Sequence, residues 1–383
     1  MFKRVLIANR GEIAVRIIRA CQEMGIETVA VYSDEDADAM HVRLADYSYN
    51  IGPADASESY LNIDALMEAA ERTEADAVHP GYGFLSEDAD FAEMVTKAGM
   101  TWIGPWADTI RKVGDKDEAR AAMIPSGIPM SKGSTPLTSV EDAVEQAKDV
   151  GYPIILKPVA GGGGKGMLIA NSEDDLRNIL TIIDINKVKY YFEHYIEHSR
   201  HIEVQIVADN YGHVIHLGER ECSLQRRNQK LLEESPSIAL TPDRRAEVGA
   251  LAIKAAKSVH YNNIGTVEFL LDLKTNQFNF MEINPRIQVE HGVTEAVTGI
   301  DLVRTQIRIA AGESLDLQQE DVKFTGHAIE CRINAEDPDN NFMPSPGKID
   351  FFLEPGGPRV RVDSGVCAGL SISPYYDSLI AKI

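Results

Sequence analysis

The chain has 383 residues, 44% of them hydrophobic, which is enough to fill the cores of two or three packed domains. Its formal net charge of −21 disfavours binding to DNA or RNA, whose phosphates repel such a surface. No run approaches the roughly 20 apolar residues of a membrane span, and the start carries no secretion signal, so the sequence predicts a cytoplasmic protein that binds neither nucleic acid nor membrane.

The first third of the chain alternates short apolar strands with amphipathic helices. Strands are predicted at residues 5–8, 28–32, 77–78 and 101–103, with helices near 13–21, 63–70 and 89–98. This alternation is typical of a parallel sheet covered by helices on both faces. We therefore predict an α/β, Rossmann-like domain over residues 1–113, although the loop after its first strand lacks the G-x-G-x-x-G pattern.

A glycine-rich loop marks the second segment. After a helix near 116–123, strands are predicted at 154–157 and 168–169, and four consecutive glycines followed by Lys165 lie between them. Gly166 follows Lys165, so the segment is not a Walker A loop. In isolation a flexible hairpin turn is the better explanation of such a run, but glycines also let backbone N–H groups approach an anion closely, and the lysines at both ends add positive charge. We predict a small α+β lid domain over residues 114–195, with a mobile glycine lid over phosphates.

The third segment is rich in strand patterns. Strands are predicted at 202–207, 214–217, 266–271, 278–283 and 327–333. These patterns predict a mixed β domain over residues 196–383.

One stretch of this third segment places a polar residue at every second position. Its polar members are a carboxylate, an amide, a guanidinium, an amide and a carboxylate: Glu282, Asn284, Arg286, Gln288 and Glu290. In an extended chain these side chains point the same way, and Pro285 indicates that the later part is an edge or a loop. A half-exposed surface strand would show the same alternation.

A carboxylate in a neighbouring apolar strand favours a functional interpretation over a surface strand. Glu268 lies within such a strand, and a buried carboxylate needs a partner. Together with Glu282 and Asn284 it offers the oxygen ligands that Mg²⁺ takes beside phosphates. Arg286 then supplies a planar fork for a small oxyanion, and Glu290 is a candidate base.

These residues carry a family likeness that spans nearly the whole chain. The segments are IANRGEIA at 7–14, HPGYGFLSE at 79–87, GDK at 114–116, QRRNQK at 225–230, RIQVEHG at 286–292 and YYDS at 375–378. In this order they resemble biotin carboxylase, an ATP-grasp family. In character the chain is most like the free-standing biotin carboxylase subunit of bacterial acetyl-CoA carboxylase.

The resemblance implies ATP- and magnesium- (or manganese-) dependent carboxylation of biotin by bicarbonate, through carboxyphosphate. Biotin would be carried by a biotin carboxyl carrier protein, and carboxyltransferase subunits would complete the acetyl-CoA carboxylase reaction of malonyl-CoA and fatty acid biosynthesis. A homodimer is also implied. Relatives continue beyond the position of Ile383, so the third domain is expected to be cut short at its C-terminal end.

The resemblance also implies a role for each matching residue. Those expected at ATP are Lys116, Lys157, Gly163, Gly164, Glu193, His194, Tyr195, Ile196, His201, Gln225, Asn228, Glu268 and Glu282. The expected metal ligands are Glu268, Glu282 and Asn284. Those expected at bicarbonate and biotin are Lys230, Arg286, Gln288, Val289, Glu290, Arg332 and Tyr82, of which Arg286, Glu290, Arg332 and Lys230 are catalytic.

Two departures from the family pattern and three alternatives accompany this interpretation. Asn228 stands where many relatives have a ribose-contacting histidine, and residues 180–191 look several positions short. The alternatives are another ATP-grasp carboxylating ligase, the biotin carboxylase domain of pyruvate or propionyl-CoA carboxylase, and an inactive scaffold or nucleotide sensor.

Overall fold

The computed structural model describes residues 1–159, 166–185 and 187–383. Its first unit is built on a five-stranded parallel sheet in the order β3-β2-β1-β4-β5. The elements of this unit are β1 (Arg4–Ile7), α1 (Gly11–Glu23), β2 (Glu27–Tyr32), α2 (Met40–Leu44), β3 (Tyr47–Asn50), α3 (Ile63–Arg72), β4 (Ala77–His79), α4 (Ala89–Lys97), β5 (Thr101–Trp102) and α5 (Ala107–Gly114). Residue spacing predicted the parallel sheet, whereas the exposed strand β3 was not predicted.

The second unit contains a three-stranded antiparallel sheet in the order β7-β6-β8. Its elements are α6 (Lys116–Met123), α7 (Val140–Val150), β6 (Ile154–Pro158), β7 (Leu168–Ala170), α8 (Glu173–Ile182) and β8 (Tyr190–His194). The strand β8 adds to the two strands that were predicted. The predicted glycine lid, including Gly163 and Gly164, lies outside the described residues.

The third unit is built on an eight-stranded antiparallel sheet in the order β13-β12-β9-β10-β11-β14-β20-β18. Its longer elements are β9 (Ser199–Ala208), β10 (Val214–Arg226), β11 (Gln229–Ser235), α9 (Pro242–Ser258), β12 (Asn263–Asp272), β13 (Phe278–Asn284), α10 (His291–Thr298), α11 (Leu302–Ala310) and β14 (Ala328–Asn334). Shorter strands follow: β15 (Glu336–Asp337), β16 (Met343–Pro344), β17 (Gly347–Lys348), β18 (Asp363–Ser364), β19 (Ser371–Ile372) and β20 (Leu379–Lys382).

The first and third units share a hydrophobic core. The apolar face of α1, including Ile13 and Ile17, is buried with Ile215 of β10, Ile264 of β12 and Ile307 of α11. Burying such side chains contributes about 1.5–3 kcal/mol each. This shared core fixes the loops at the ends of β1 and β4 against the edge of the large sheet.

The polar stretch leaves the sheet where Pro285 predicted that it would. Strand β13 ends at Asn284, and residues 285–290 form an irregular connection to α10. The parallel and antiparallel units confirm the predicted α/β and α+β class. Within residues 1–159, 166–185 and 187–383, no helix is long and apolar enough to cross a membrane.

Candidate active site

A cleft of about 1420 Å³ lies where the three units meet. The first unit contributes the loops after β1 and β4, the second contributes α6 and β6, and the third contributes β10 to β14. Most of the predicted site residues line it, namely Tyr82, Lys116, Lys157, Glu193, His201, Gln225, Asn228, Lys230, Glu268, Glu282, Asn284, Arg286, Gln288, Val289, Glu290 and Arg332. Side chains predicted from distant segments therefore converge on one cavity.

Two of the predicted metal ligands face each other across neighbouring strands. Glu268 of β12 is in register with Glu282 of β13. Burial, followed by the negative charge of Glu268, raises the pKa of Glu282, although its side chain still reaches the solvent of the cleft. Asn284 donates from Nδ2 to Glu268 Oε1 at 3.0 Å.

This arrangement fits a divalent cation. Like charges directly opposite on adjacent strands repel each other, and a hard cation with oxygen ligands removes that repulsion. Glu268 and Glu282 supply four carboxylate oxygens at one wall of the cleft, and Asn284 adds an amide oxygen beside them. The donor set is therefore chemically suited to Mg²⁺ or Mn²⁺.

Lys230 joins Glu268 of β12 to the C-terminal end of the polar stretch. Its Nζ lies 2.9 Å from Glu268 Oε1, 3.1 Å from Gln288 Oε1 and 2.8 Å from Glu290 Oε1, and it also bonds Glu203. Burial alone would lower the pKa of this ammonium, but the surrounding carboxylates outweigh it and raise the pKa well above its usual range. Because an ammonium has three N–H donors, these four acceptors share them.

Glu290 is held between two cations. Its Oε1 accepts from Lys230, and its Oε2 accepts from Arg332 Nη2 at 2.9 Å. Burial would raise the pKa of this carboxyl, but Lys230, Arg332 and Arg220 outweigh it and hold the pKa far below its usual range. Glu290 is therefore ionised at neutral pH and carries no proton of its own.

Arg332 has a second carboxylate partner on its other side. Glu233 of β11 accepts from Arg332 Nε at 2.8 Å. Burial is the main cause that raises the pKa of Glu233 to about 7. Arg332 thus remains charged at the wall of the cleft between two acidic groups.

Arg286 is oriented by a contact between units. Its Nε donates to Glu87 Oε1 of the first unit at 2.5 Å. Its Nη1 donates to its neighbour, the Ile287 carbonyl, at 3.2 Å, and its Nη2 lies 3.4 Å from Asn284 Oδ1. A guanidinium has five N–H donors, so these three bonds leave capacity for an anion in the cleft.

The predicted nucleotide-binding residues cluster at the other end of the cleft. Glu193 accepts from Arg120 Nη1 at 2.8 Å and from Lys157 Nζ at 2.7 Å. His201 lies 3.0 Å from Gln225 Nε2 through its Nδ1 and 2.8 Å from Glu268 through its Nε2. The predicted cation site and the predicted nucleotide site thus meet at Glu268.

Three predicted residues lie apart from this group. Among the described residues, the lining of the cleft includes Glu193 but not His194, Tyr195 or Ile196. The His194 ring lies 3.0 Å from the Gly151 carbonyl, and the backbone N–H of Tyr195 donates to the Pro153 carbonyl at 2.8 Å. Their assignment to the adenine stays a prediction that rests on the resemblance.

Sequence reasoning missed a buried ion pair beneath the cleft. Arg220 of β10 is fully buried and bonds Glu203 of β9, which also bonds Lys230. The signal was present, since Glu203 and Gln205 interrupt an apolar strand at alternate positions, as Glu268 does. Such a carboxylate needs a partner, and here the partner is Arg220 with the Lys230 ammonium.

Family profiles cover most of the chain. The profile of the biotin carboxylase N-terminal domain matches residues 1–110, and that of the biotin carboxylase C-terminal domain matches residues 330–383. Residues 115–318 match the profile of the ATP-binding domain of the carbamoyl-phosphate synthase L chain.

Individual proteins match over the whole chain. Biotin carboxylase 1 of Bacillus subtilis is 56% identical over 390 aligned positions, which cover 100% of this chain and 87% of that protein. A biotin carboxylase from Campylobacter jejuni, solved as a β,γ-ATP complex, is 47% identical with a TM-score of 0.95, covering 100% of this chain and 86% of that one.

A third relative was solved as a dimer. The biotin carboxylase domain of the 2-oxoglutarate carboxylase of Hydrogenobacter thermophilus, in complex with MgADP, ADP and bicarbonate, is 49% identical with a TM-score of 0.94. That match covers 100% of this chain and 85% of that one.

Proposed function

The chain belongs to the biotin carboxylase family of ATP-grasp enzymes, and from this premise we propose how its own residues carry out the reaction. The enzyme uses ATP, Mg²⁺ and bicarbonate to place a carboxyl group on biotin. We propose below a role for each side chain, the partner proteins and the final acceptor of the carboxyl group.

The observation that carries the proposal is the contact set of Lys230. One ammonium touches Glu268, at the proposed metal site, and Glu290, the proposed base, with Gln288 between them. Phosphoryl transfer to bicarbonate requires the metal, the nucleotide phosphates and the deprotonated anion within one small volume. The distances of 2.8–3.1 Å from Lys230 to the proposed metal ligand and the proposed base support such an arrangement.

The nucleotide end holds and orients ATP. Glu268 and Glu282, with Asn284 beside them, would hold Mg²⁺, which when bound offsets charge on the transferring phosphoryl group. Lys116 and Lys157 line the same region and add positive charge for the phosphates. We propose that the nucleoside contacts the hinge 193–196 together with His201, Gln225 and Asn228. The phosphates would contact Gly163 and Gly164.

The central part of the cleft binds and activates bicarbonate. Arg286, Gln288 and the Val289 backbone cradle the anion, and Glu290 removes its proton. In the resting arrangement Lys230 and Arg332 hold Glu290 at a very low pKa. An anion arriving between these cations takes over part of their hydrogen bonding, which raises the basicity of Glu290 when the proton must move.

The outer part of the cleft accepts biotin. Arg332 lies at the wall, 2.9 Å from Glu290 Oε2. From there its guanidinium offsets the charge that develops on the ureido oxygen when the ring nitrogen gives its proton to the phosphate released, with CO₂, from carboxyphosphate. Tyr82, whose hydroxyl donates to Glu12, forms the facing wall and approaches the biotin ring.

The partners follow from the family chemistry. Biotin would arrive on a biotin carboxyl carrier protein, and carboxyltransferase subunits would pass the carboxyl group to acetyl-CoA in the cytoplasm. We propose a homodimer for this chain, since the relative from Hydrogenobacter thermophilus was solved as one. We also propose that the three domains span residues 1–113, 114–195 and 196–383.

The function is tested by steady-state ATP hydrolysis with and without bicarbonate and free biotin. We expect hydrolysis to require bicarbonate, because Glu290 acts on that substrate. We expect the rate to rise several-fold on addition of biotin, because Arg332 acts on the biotin ring. The control is the same titration with acetate in place of bicarbonate. A rate that is unchanged when both bicarbonate and biotin are omitted would contradict the proposal.

The Glu87→Gln substitution tests the orientation of Arg286. Glu87 accepts from Arg286 Nε at 2.5 Å, but 47% of the Glu87 side chain is exposed, so water screens the pair and its contribution is about 1 kcal/mol. Loss of the negative charge is expected to raise the KM for bicarbonate by about fivefold, equivalent to about 1 kcal/mol. The KM for ATP is expected to change less than twofold.

The matched control for Glu87→Gln is Asp90→Asn. Asp90 lies in the same unit and pairs with Arg111 at the surface, where its side chain is 81% exposed. Its replacement should leave both KM values unchanged. An unaltered bicarbonate KM in Glu87→Gln would show that Arg286 is oriented by its other contacts.

A further inference from the structure

A fully buried lysine lies directly beneath the proposed base. Lys382 is in β20, and only 1% of its side chain is exposed. In the sheet it is in register with Arg332 of β14 on one side and with Asp363 of β18 on the other. A buried ammonium is costly unless it has hydrogen-bonding partners, so its contacts indicate what it does.

The ammonium binds the connection that carries Glu290. Lys382 Nζ donates to the Val289 carbonyl, immediately before Glu290. This carbonyl lies in the irregular connection 285–290 between β13 and α10, where sheet hydrogen bonding has ended. The side chain of Lys382 therefore ties the strand opposite Arg332 to the backbone that positions Glu290.

The neighbouring histidine does not compete for this role. His291 Nδ1 lies 2.8 Å from the Gln288 carbonyl and 3.4 Å from Lys382 Nζ. Burial, and then the charge of Lys382, hold the pKa of His291 well below its usual range, so its ring is neutral. Its Nδ1–H then donates to Gln288, and the Lys382 ammonium is left to the Val289 carbonyl.

Carboxylates around Lys382 keep it charged. Glu12 Oε1 lies 3.5 Å from its Nζ, and the same oxygen accepts the Tyr82 hydroxyl. Burial alone would lower the pKa of Lys382, but Glu12, Glu330 and Asp363 outweigh it and raise that pKa. Lys382 thus remains an ammonium and a strong donor to the Val289 carbonyl.

We propose that Lys382 is a positioning residue for the reaction: its bond to the Val289 carbonyl fixes the 288–290 backbone, and with it the Glu290 carboxylate between Lys230 and Arg332. The bicarbonate cradle includes the Val289 backbone, so the same bond fixes the anion site. A displacement of about 1 Å in such a site costs on the order of 10²-fold in rate. This inference rests on the proposed function of residues 288–290.

The test must separate positioning from stability, because Lys382→Met leaves buried carboxylates without their cation. Methionine keeps the unbranched shape of the lysine stem and removes the donor. The second substitution, Glu12→Gln, removes one of these carboxylates while keeping an amide oxygen for Tyr82. The double variant Glu12→Gln/Lys382→Met is therefore expected to be more stable than Lys382→Met alone, as measured by its melting temperature.

The informative comparison is between Glu12→Gln and the double variant. We expect the KM for bicarbonate to be at least tenfold higher in the double variant and kcat to be 10–100-fold lower, with the KM for ATP changed less than twofold. The surface substitution Lys274→Met, at a lysine with 64% of its side chain exposed, serves as the matched control and should change none of these values.

Two outcomes would overturn the inference. One is a double variant whose bicarbonate KM and kcat equal those of Glu12→Gln. The other is an equal rise in the KM for ATP, which would indicate a general loosening of the cleft. Failure of the proposed function itself would appear elsewhere, as full turnover in a Glu290→Gln variant of the otherwise intact enzyme.

Discussion

Replacing Glu290 with glutamine is expected to lower the rate of biotin carboxylation by about 10²–10⁴-fold, the usual contribution of a general base. Glutamine keeps the size of the side chain and one acceptor oxygen, but it cannot take a proton from bicarbonate. The proposed nucleotide-binding residues Lys157 and Glu193 line the same cleft but bond each other and not Glu290. ATP affinity is therefore expected to change less than threefold, as measured by equilibrium binding.

The size of the effect depends on the charge balance around Glu290. Its carboxylate is buried and accepts from Lys230 and Arg332 at 2.8 and 2.9 Å. The two cations would face a neutral amide in the variant, so part of the loss comes from their repulsion. Bicarbonate-dependent ATP hydrolysis reports the loss of the base, which acts on bicarbonate. Biotin carboxylation reports in addition any loss of orientation of Arg332, which acts on biotin.

The matched control is Glu234→Gln on strand β11. Glu234 lies beyond the lining of the cleft among the described residues and pairs with His327 at 2.9 Å. Its replacement removes a carboxylate from the same strand as Lys230 without touching the proposed base. Full turnover in Glu290→Gln, with Glu234→Gln also active, would refute the assignment of the base.

The largest effect on stability is expected from Arg220→Met. Arg220 is 0% exposed and pairs with Glu203, which is also 0% exposed. It also donates to Gln205 at 2.6 Å, Thr294 at 3.0 Å and Thr266 at 2.9 Å. Removing one partner of a buried ion pair costs about 3–5 kcal/mol, because the other charge stays buried.

The predicted loss is measured as a lower urea midpoint for unfolding. Strands β9 and β12 and helix α10 all bond the Arg220 side chain of β10, so the proposed metal and base residues should lose order together. Activity is therefore expected to fall even at temperatures where the variant stays folded. Lys230 should be affected directly, since it shares Glu203 with Arg220.

Arg111→Met provides the comparison for Arg220→Met. Arg111 pairs with Asp90, Glu93 and Asp108, but 47% of its side chain is exposed. Exposed ion pairs contribute about 0–1 kcal/mol each, since water screens them. If Arg220→Met and Arg111→Met lost the same free energy of unfolding, burial would not explain the contribution of the Arg220 network to stability.

Much of the candidate site was predictable from local pattern. The alternation of polar residues from 282 to 290, and the single carboxylate in the strand of Glu268, identified a wall of functional groups, and Pro285 indicated where the strand ends. The alternation of strand side chains accounts for Glu282 and Asn284 on β13, whereas Arg286, Gln288 and Glu290 lie in the irregular connection beyond that strand. The alternation of apolar strands with amphipathic helices predicted the parallel sheet and four of its five strands.

Other contacts in the candidate site join residues that are far apart in the sequence, and no local pattern predicts them. Glu87 and Arg286 are 199 residues apart and meet at 2.5 Å, and Lys382 reaches the carbonyl of Val289 from a strand 93 residues later. The Glu87–Arg286 pair depends on how the first and third units pack, because the hydrophobic core that joins α1 to the large sheet sets the distance between their loops. The Lys382–Val289 contact depends on the strand order within the large sheet.

The sequence by itself determined the fold class, the family and the wall of polar groups, since these follow from periodicity and from motifs read along the chain. Only the tertiary structure decided which charges share a partner: that Lys230 is bonded to four acceptors, that Arg220 neutralises Glu203, and that Lys382 lies beneath Glu290. The physical reason is that the charge state of a buried group is set by neighbours a few ångströms away, whatever their distance along the chain.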